Sequence, residues 1–272
     1  MPSTTSTPQP TLTDGQLAQV RADLIEHAAK AHPAECCGLI VRVPQCWGAE
    51  FTVAYIEARN EFSGTPGERD RFRIHHEDWA AAEDLGQVLA VVHSHPDACA
   101  NPSMADRVMC ERTGLTWVIV GYPSQAVTVT HPTGFEAPLI GRQFHHGVLD
   151  CYTLIRDYYA RTLATELPDF ERADGWWEVD GGPNLYRDGY EKAGFILVND
   201  MPREHDVLLM QVAARCDNHA AVFLGDGTIL HHLYGRLSGR EVYGGTWERH
   251  TTAVLRHKSL LDVAAAPAPA GA

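Results

Sequence analysis

Residues 88–106 read VLAVVHSHPDACANPSMAD. Val88 to Val92 is an unbroken apolar run, the mark of a strand buried on both faces. His93 and His95 follow at i, i+2, so strand alternation turns both imidazoles to one face. A helix is expected from Ser103 to Gly114, capped by Ser103, with Asp106 one turn in. Two imidazoles and one carboxylate leave the fourth position of a tetrahedral ion to water, which is the donor set of a catalytic zinc site; a structural site takes four protein ligands. The plainer alternative is a His-x-His pair in a packed core, with Ser103 and Asp106 serving only as a helix cap and a first-turn carboxylate. Capping and ligation are compatible.

Working outward, Leu17, Val20, Leu24 and Ala28 recur at helical spacing, giving a first helix that Asp14 can cap and Pro33 stops. Cys37 to Val43 and Phe51 to Ile56 read as strands, Glu77 to Leu85 as a helix, and Trp117 to Val120 and Ala126 to Thr130 as closing strands. Strands interleaved with helices predict an α/β or α+β layer architecture. The stretch HPTGFEAPLIGRQFHHG (131–147) then marks a boundary. Beyond it the pattern predicts a helix from Cys151 to about Leu167, an irregular stretch from Pro168 to Glu204, and strands over Val207 to Val212, His219 to Leu224 and Thr228 to Leu233. The expected organisation is two α+β or α/β domains, 13–135 and 136–262, between two tails. Residues 1–12 are rich in Ser, Thr and Pro, residues 263–272 read VAAAPAPAGA, and both are expected to be disordered.

Composition bounds the partners. The 272 residues carry a net charge of −13, which argues against a general nucleic-acid binder, because phosphate contacts need clustered Lys and Arg. No apolar run approaches the ~20 residues of a membrane helix. The opening MPSTTSTPQPTLTDG has neither the basic nor the apolar region of a signal peptide. The seven cysteines (36, 37, 46, 99, 110, 151 and 216) are odd in number and form no CxxC pair, so they read as reduced thiols.

A second constellation lies after the boundary. Asp150 can cap the helix that Cys151 opens, and the first turn of a helix favours a thiolate. A lone cysteine before Leu154 and Ile155 is more often a small core residue, so a base is required. His219, opening the strand HAAVFL, is the candidate. The hairpin that follows turns at Gly225-Asp226-Gly227. A two-residue turn places His232 on the face of His219, and a three-residue turn places His231 there. Trp176, Trp177 and Tyr186 fall in the irregular stretch, where they line a groove or simply pack.

The string His-Ser-His-Pro, six residues, then Ser-x-x-Asp resembles the JAMM motif of the Mov34/MPN/PAD-1 metallopeptidase family. That family also places a Glu ahead of its first core strand, where this chain has Glu35 before CCGLIV. The resemblance implies a sheet flanked by helices, a Zn2+ ion on His93, His95 and Asp106, Glu35 as general base and Ser103 as an oxyanion donor, acting on amide or isopeptide bonds. Residues 139–257 resemble the NlpC/P60 family of papain-like cysteine peptidases. That resemblance implies Cys151 as nucleophile, His219 as base and His231 as the residue orienting it, and so favours the three-residue turn. Where many members carry a Tyr in a Pro-Tyr-x-x-Gly string, this chain has Phe144 in Gln143-Phe144-His145-His146-Gly147.

The two domains in this order resemble the tail assembly proteins of lambda-like bacteriophages, through DCYTLIRDYY (150–159), ELPDF (166–170) and NHAAVFLGDGTILHHLYGRLSGREVYGG (218–245). The resemblance implies tail-tip proteins as partners, peptidoglycan stem peptides as substrate, and residence in the host cytoplasm during assembly or in the virion tail. The rival from another class is a structural or chaperone-like assembly factor whose hydrolase sites are incidental. A third is a cellular protease of ubiquitin-like conjugates, which the NlpC/P60 half disfavours.

Overall fold

The computed structural model describes residues 11–44, 51–62 and 71–261; the C-terminal tail, residues 1–10 and Cys46 lie outside the described residues. The chain falls into two compact units, the first ending at Glu136 and the second beginning at Ala137.

In the first unit, α1 (Asp14–Ala31) is capped by Thr13 rather than Asp14. Thr13 and Gln16 form a reciprocal capping box, and Asp14 becomes the first helical residue, where its charge suits the helix dipole. The strands β1 (Cys37–Pro44), β2 (Phe51–Ala58), β3 (Gln87–Pro96), β4 (Thr116–Tyr122) and β5 (Ala126–Thr130) form one sheet in the order β2-β1-β3-β4-β5. Only the β3–β4 pair is parallel, and its crossover is α3 (Met104–Thr113); α2 (His76–Leu85) precedes β3. Val20, Leu24 and Ala28 of α1 pack on one face of the sheet with Ile40, Val92 and Val118. Ala82 of α2 and Cys110 of α3 pack on the other with Leu39, Val91 and Trp117. Leu12, assigned to the tail by composition, is buried in the α1 cluster.

In the second unit, α4 (Cys151–Leu163) ends four residues earlier than its apolar pattern suggests, because Ala164 turns left-handed at φ 50°. The stretch read as irregular holds a single 3-10 turn at Trp176–Glu178, the short helix α5 (Leu185–Gly189) and the strand β6 (Phe195–Val198). Strands β7 (Val207–Met210), β8 (His219–Phe223), β9 (Thr228–His231) and β10 (Gly239–Val242), the short helix α6 (Thr246–His250) and strand β11 (Thr251–His257) complete the unit. The antiparallel sheet has the order β10-β9-β8-β7-β11-β6. Leu154, Ile155 and Tyr159 of α4 pack on the face carrying Leu209, Ala220, Val222 and Leu230. Leu208, Met210, Ala221 and Ile229 point to the opposite face, under Tyr243 and Trp247.

Candidate functional sites

Strand β3 runs through the motif, and Val91, two residues before His93, faces the α2–α3 side. Alternation therefore sends His93 and His95 to that side, toward the first turn of α3. There the Nε2 atoms of His93 and His95 lie 3.1 Å apart. Asp106 meets them with Oδ1 3.2 Å from His93 Nε2 and Oδ2 3.3 Å from His95 Nε2. Donors bound at 2.0–2.1 Å to a tetrahedral ion stand about 3.3 Å from one another, so this donor set fits a zinc-sized ion. His95 Nδ1 faces the Cys99 carbonyl at 2.9 Å, an acceptor that fixes the proton on Nδ1 and leaves the Nε2 lone pair facing Asp106. The ring of His93 is fixed by stacking on Phe72, 4.6 Å between centroids at 20°, and by the edge of Trp117. Burial pushes the His93 imidazole below its usual pKa; it acts the other way on the Asp106 carboxyl, but the two imidazoles hold that group far below the carboxylate range.

Ser103 and Asp106 do cap α3. Asp106 N–H donates to Ser103 Oγ at 3.1 Å, and Ser103 N–H donates to Asp106 Oδ2 at 2.7 Å. The same carboxylate oxygen thus faces both the helix end and His95. Glu35 is buried just ahead of β1. Cys37 pairs with His93, Ser94 N–H donates to the Cys36 carbonyl at 3.1 Å and Cys36 N–H donates to Ser94 Oγ at 2.8 Å, so continuing the antiparallel register sets Glu35 opposite His95, on the same face as both histidines. Asn60 Nδ2 donates to the Glu35 carbonyl at 3.1 Å and holds that backbone in place.

Among the described residues a second grouping, Glu61, His75 and His76, also brings possible ligand atoms within 4.8 Å of one another. Its two imidazoles are stacked, 4.5 Å apart at 25°. His75 Nδ1 is taken up as acceptor for the Glu77 N–H at 3.3 Å.

In the second unit Asp150 caps α4 by accepting from Thr153 N–H at 2.9 Å. Its other oxygen accepts from Gly147 N–H and from Arg172 Nε, each at 2.9 Å, so the buried charge is paired. Cys151, the first residue of α4, makes its side-chain hydrogen bond with the Tyr186 hydroxyl at 3.1 Å. Tyr186 and Trp176 line an apolar, solvent-open pocket beside Tyr152 and Ile155 of α4, whereas Trp177 sits against the His146 ring. No hydrogen bond joins Cys151 to His219 among the described residues, although the backbone of the next residue, Ala220, lies against the thiol. The expected first-turn activation is outweighed as folded. Burial, then the Asp150 charge, push the thiol up to about 11, against a downward pull from Tyr186 and Ala220.

The β8–β9 hairpin takes the three-residue turn, with Leu224 N–H bonded to the Thr228 carbonyl and Ala221 paired with His231. His219 and His231 therefore share a face, and His219 Nε2 meets His231 Nδ1 at 3.1 Å. His232 points the other way, against the Phe144 ring at 5.1 Å, fully buried and with no hydrogen bond of ordinary geometry at either ring nitrogen. Burial, then the nearby histidines, push His219 down to about 3. Sequence reasoning missed Glu241. Its Oε1 lies 3.4 Å from His231 Nε2, and its Oε2 accepts from Trp247 Nε1 at 2.7 Å.

Comparison with known proteins gives each unit a family. Residues 17–133 match prokaryotic homologues of the JAB domain, and residues 141–256 match the NlpC/P60 family. A solved structure described as a JAMM metalloprotease-like zinc site in the proteasome and signalosome is 21% identical, over 44% of this chain and 87% of that one, at a TM-score of 0.26. Over 237 residues the chain is 39% identical to the tail tip assembly protein K of Escherichia phage N15, covering 87% of this chain and 93% of that protein. It is 41% identical over 186 residues to the protein of the same name from Escherichia phage lambda, covering 67% of this chain and 88% of that one. Identity at this level over nine-tenths of a relative's length makes the chain a member of the phage tail tip assembly protein K family, with a JAB-type unit followed by an NlpC/P60 unit.

Proposed function

We propose that this protein works in building the phage tail tip and carries two peptidase sites, a zinc amide or isopeptide hydrolase in the first unit and a cysteine peptidase for peptidoglycan stem peptides in the second. The observation that carries the reading is the convergence of His93, His95 and Asp106 within 3.3 Å, in a chain whose other unit brings His219 and His231 together at 3.1 Å.

In the first site His93, His95 and Asp106 would hold the ion. Zinc bound there would supply a Lewis acid for the scissile carbonyl and lower the pKa of water. Glu35 takes the proton from water and returns it to the leaving amine. Ser103 keeps its hydroxyl beside the carbonyl oxygen, where negative charge develops. Substrate in this site is an amide or isopeptide of a tail protein or a peptide crosslink.

In the second site Cys151 attacks the acyl carbon after His219 takes its proton, and His219 then protonates the leaving amine. His231 holds the ring of His219. The proposed scissile bond joins D-glutamate to a diamino acid, and delivery within a tail suits a protein of net charge −13, which long-range attraction would not bring to an anionic wall. The protein is then made in the host cytoplasm and carried at the tail.

One observation favours the second reading, an assembly factor that needs neither site: the Cys151 thiol is buried, held by Tyr186 and pushed up to about 11. Mass spectrometry of purified muropeptides incubated with wild type, Cys151→Ala and Glu35→Ala separates the two. Cleavage lost only in Cys151→Ala assigns wall hydrolysis to the cysteine site. Loss only in Glu35→Ala assigns it to the metal site. No cleavage by folded, zinc-loaded wild type sinks the wall-hydrolase reading and leaves the assembly role.

A further inference from the structure

We propose that Glu241 is a fourth member of the cysteine site, a positioning residue that sets the tautomers of His231 and His219 and is itself aimed by Trp247. The proposal rests on the reading of Cys151 and His219 as nucleophile and base, and it extends that site by one residue on a different strand.

The β9–β10 register pairs His231 with Gly239 and Ile229 with Glu241. Glu241 is thus the diagonal neighbour of His231 on one sheet face, within reach of a long side chain. The carboxylate lies 3.4 Å from His231 Nε2 and accepts from Trp247 Nε1 at 2.7 Å. The Trp247 ring also packs edge-on against His231 at 4.6 Å, so α6 fixes both the carboxylate and the imidazole.

The proton positions then follow in order. A carboxylate accepts and cannot donate when ionised, so the His231 proton belongs on Nε2. His231 Nδ1 is left with a lone pair. The atom 3.1 Å from it, His219 Nε2, must therefore carry its proton and donate. His219 Nδ1 is left unprotonated, which is the state a general base requires. The orienting group of a catalytic histidine acts in this way without itself taking the proton. The other charged group around His231 is Arg236, whose Nη1 is 3.6 Å from the same Glu241 oxygen, and the other titratable groups are the neutral imidazoles of His219 and His232. Burial pushes His231 below its ordinary pKa while Glu241 pulls it up, and His219 is pushed lower still, so both rings are neutral at pH 7.5 and each has a defined tautomer.

Glu241→Gln tests the order. The indole N–H at 2.7 Å takes the amide oxygen, whereas the exposed Arg236 stands farther off. The amide NH2 then faces His231 Nε2, and every proton in the ladder moves to the other nitrogen. Adding Trp247→Phe frees the amide to turn over. The measurement is ¹⁵N chemical shifts of His219 and His231 in the full chain at pH 7.5, together with the iodoacetamide rate at Cys151 followed by peptide mass spectrometry. Wild type is expected to hold the proton on Nε2 of both rings. Glu241→Gln is expected to move both to Nδ1 and to slow alkylation about tenfold or more, and the double variant to return both readouts toward wild type. Wild-type rings protonated on Nδ1, or a Glu241→Gln protein with wild-type nitrogen shifts, overturn the proposal. Neither readout needs a substrate, so an absence of muropeptide cleavage alongside the expected tautomer switch would count against the peptidase reading and leave the ladder standing.

Discussion

The sulfur of Cys151, the first residue of α4, shares a hydrogen bond of 3.1 Å with the hydroxyl of Tyr186, which stands on the five-residue helix α5. Burial pushes that hydroxyl well above its ordinary pKa, so it remains protonated at any working pH and is the donor whenever the sulfur ionises. A hydrogen bond to the charged form favours that form.

Tyr186→Phe is therefore expected to raise the apparent pKa of Cys151 above its value of about 11 and to slow iodoacetamide alkylation at pH 8 several-fold. The check is the pH–rate profile of alkylation at Cys151. A profile unchanged from wild type would mean that Tyr186 fills space beside the thiol and does nothing for its ionisation.

The cap that Ser103 gives α3 and the oxyanion role proposed for its hydroxyl can be separated by substitution. Ser103 Oγ accepts the Asp106 N–H, so Ser103→Ala should cost about 1 kcal/mol of stability as a lost helix cap. Ser103→Asp keeps an accepting oxygen and should restore most of that stability without restoring the hydroxyl donor. Urea unfolding and amide hydrolysis measured on both variants decide the point. If hydrolysis tracks stability, with Ser103→Asp active, the residue is a cap and not an oxyanion donor.

How far these sites were legible depends on how local their signals are. The i, i+2 histidines, the cap at Ser103 and the left-handed Gly114 that ends α3 are all written within thirty residues, and each has a short-range physical cause. The choice between His231 and His232 depends on one residue in a turn, so pattern alone left it open and backbone pairing resolved it. Glu241 lay on Gly239–Val242, a four-residue edge strand without alternating apolar residues, and so carried no strand signal. The strand Phe195–Val198 was hidden inside a stretch of turn residues for the same reason of length. One usable sign was present: a hairpin after His231 with a seven-residue loop puts position 241 back on the histidine's face.

His231 and His232 should respond oppositely to replacement. His231→Ala removes the atom that His219 Nε2 meets at 3.1 Å and should lower Cys151 reactivity at pH 7.5 by tenfold or more. His232→Phe removes a fully buried ring whose nitrogens lack ordinary hydrogen bonds and places an apolar ring beside Phe144, so stability should hold or rise. Reactivity lost equally in both variants would mean that His231 acts through packing.

The buried imidazoles also predict how the second unit fails in acid. Burial, then the other histidines, push His219 down to about 3; burial, then the Arg142 charge, push His232 down to about 4. In the unfolded chain both titrate near the ordinary value of about 6.5. Between those limits the unfolded state binds more protons than the folded one, so stability rises with pH. Their contribution is fully present above pH 6.5 and is lost as pH falls toward the folded values. Each ring adds a slope of up to about 1.4 kcal/mol per pH unit in that window, and its upper part, from about pH 5 to 6.5, lies above the range where carboxylates ordinarily titrate. Burial of Cys151 and Cys110 lets one experiment read each unit by itself, through urea-dependent alkylation of one thiol in the second unit and one in the first. The Cys151 transition should move to lower urea between pH 7 and pH 5, and His232→Phe should remove part of that movement. A Cys151 midpoint flat from pH 7 to pH 5 would mean that the unfolded chain gains no proton there, and that these histidines are not held neutral by the fold.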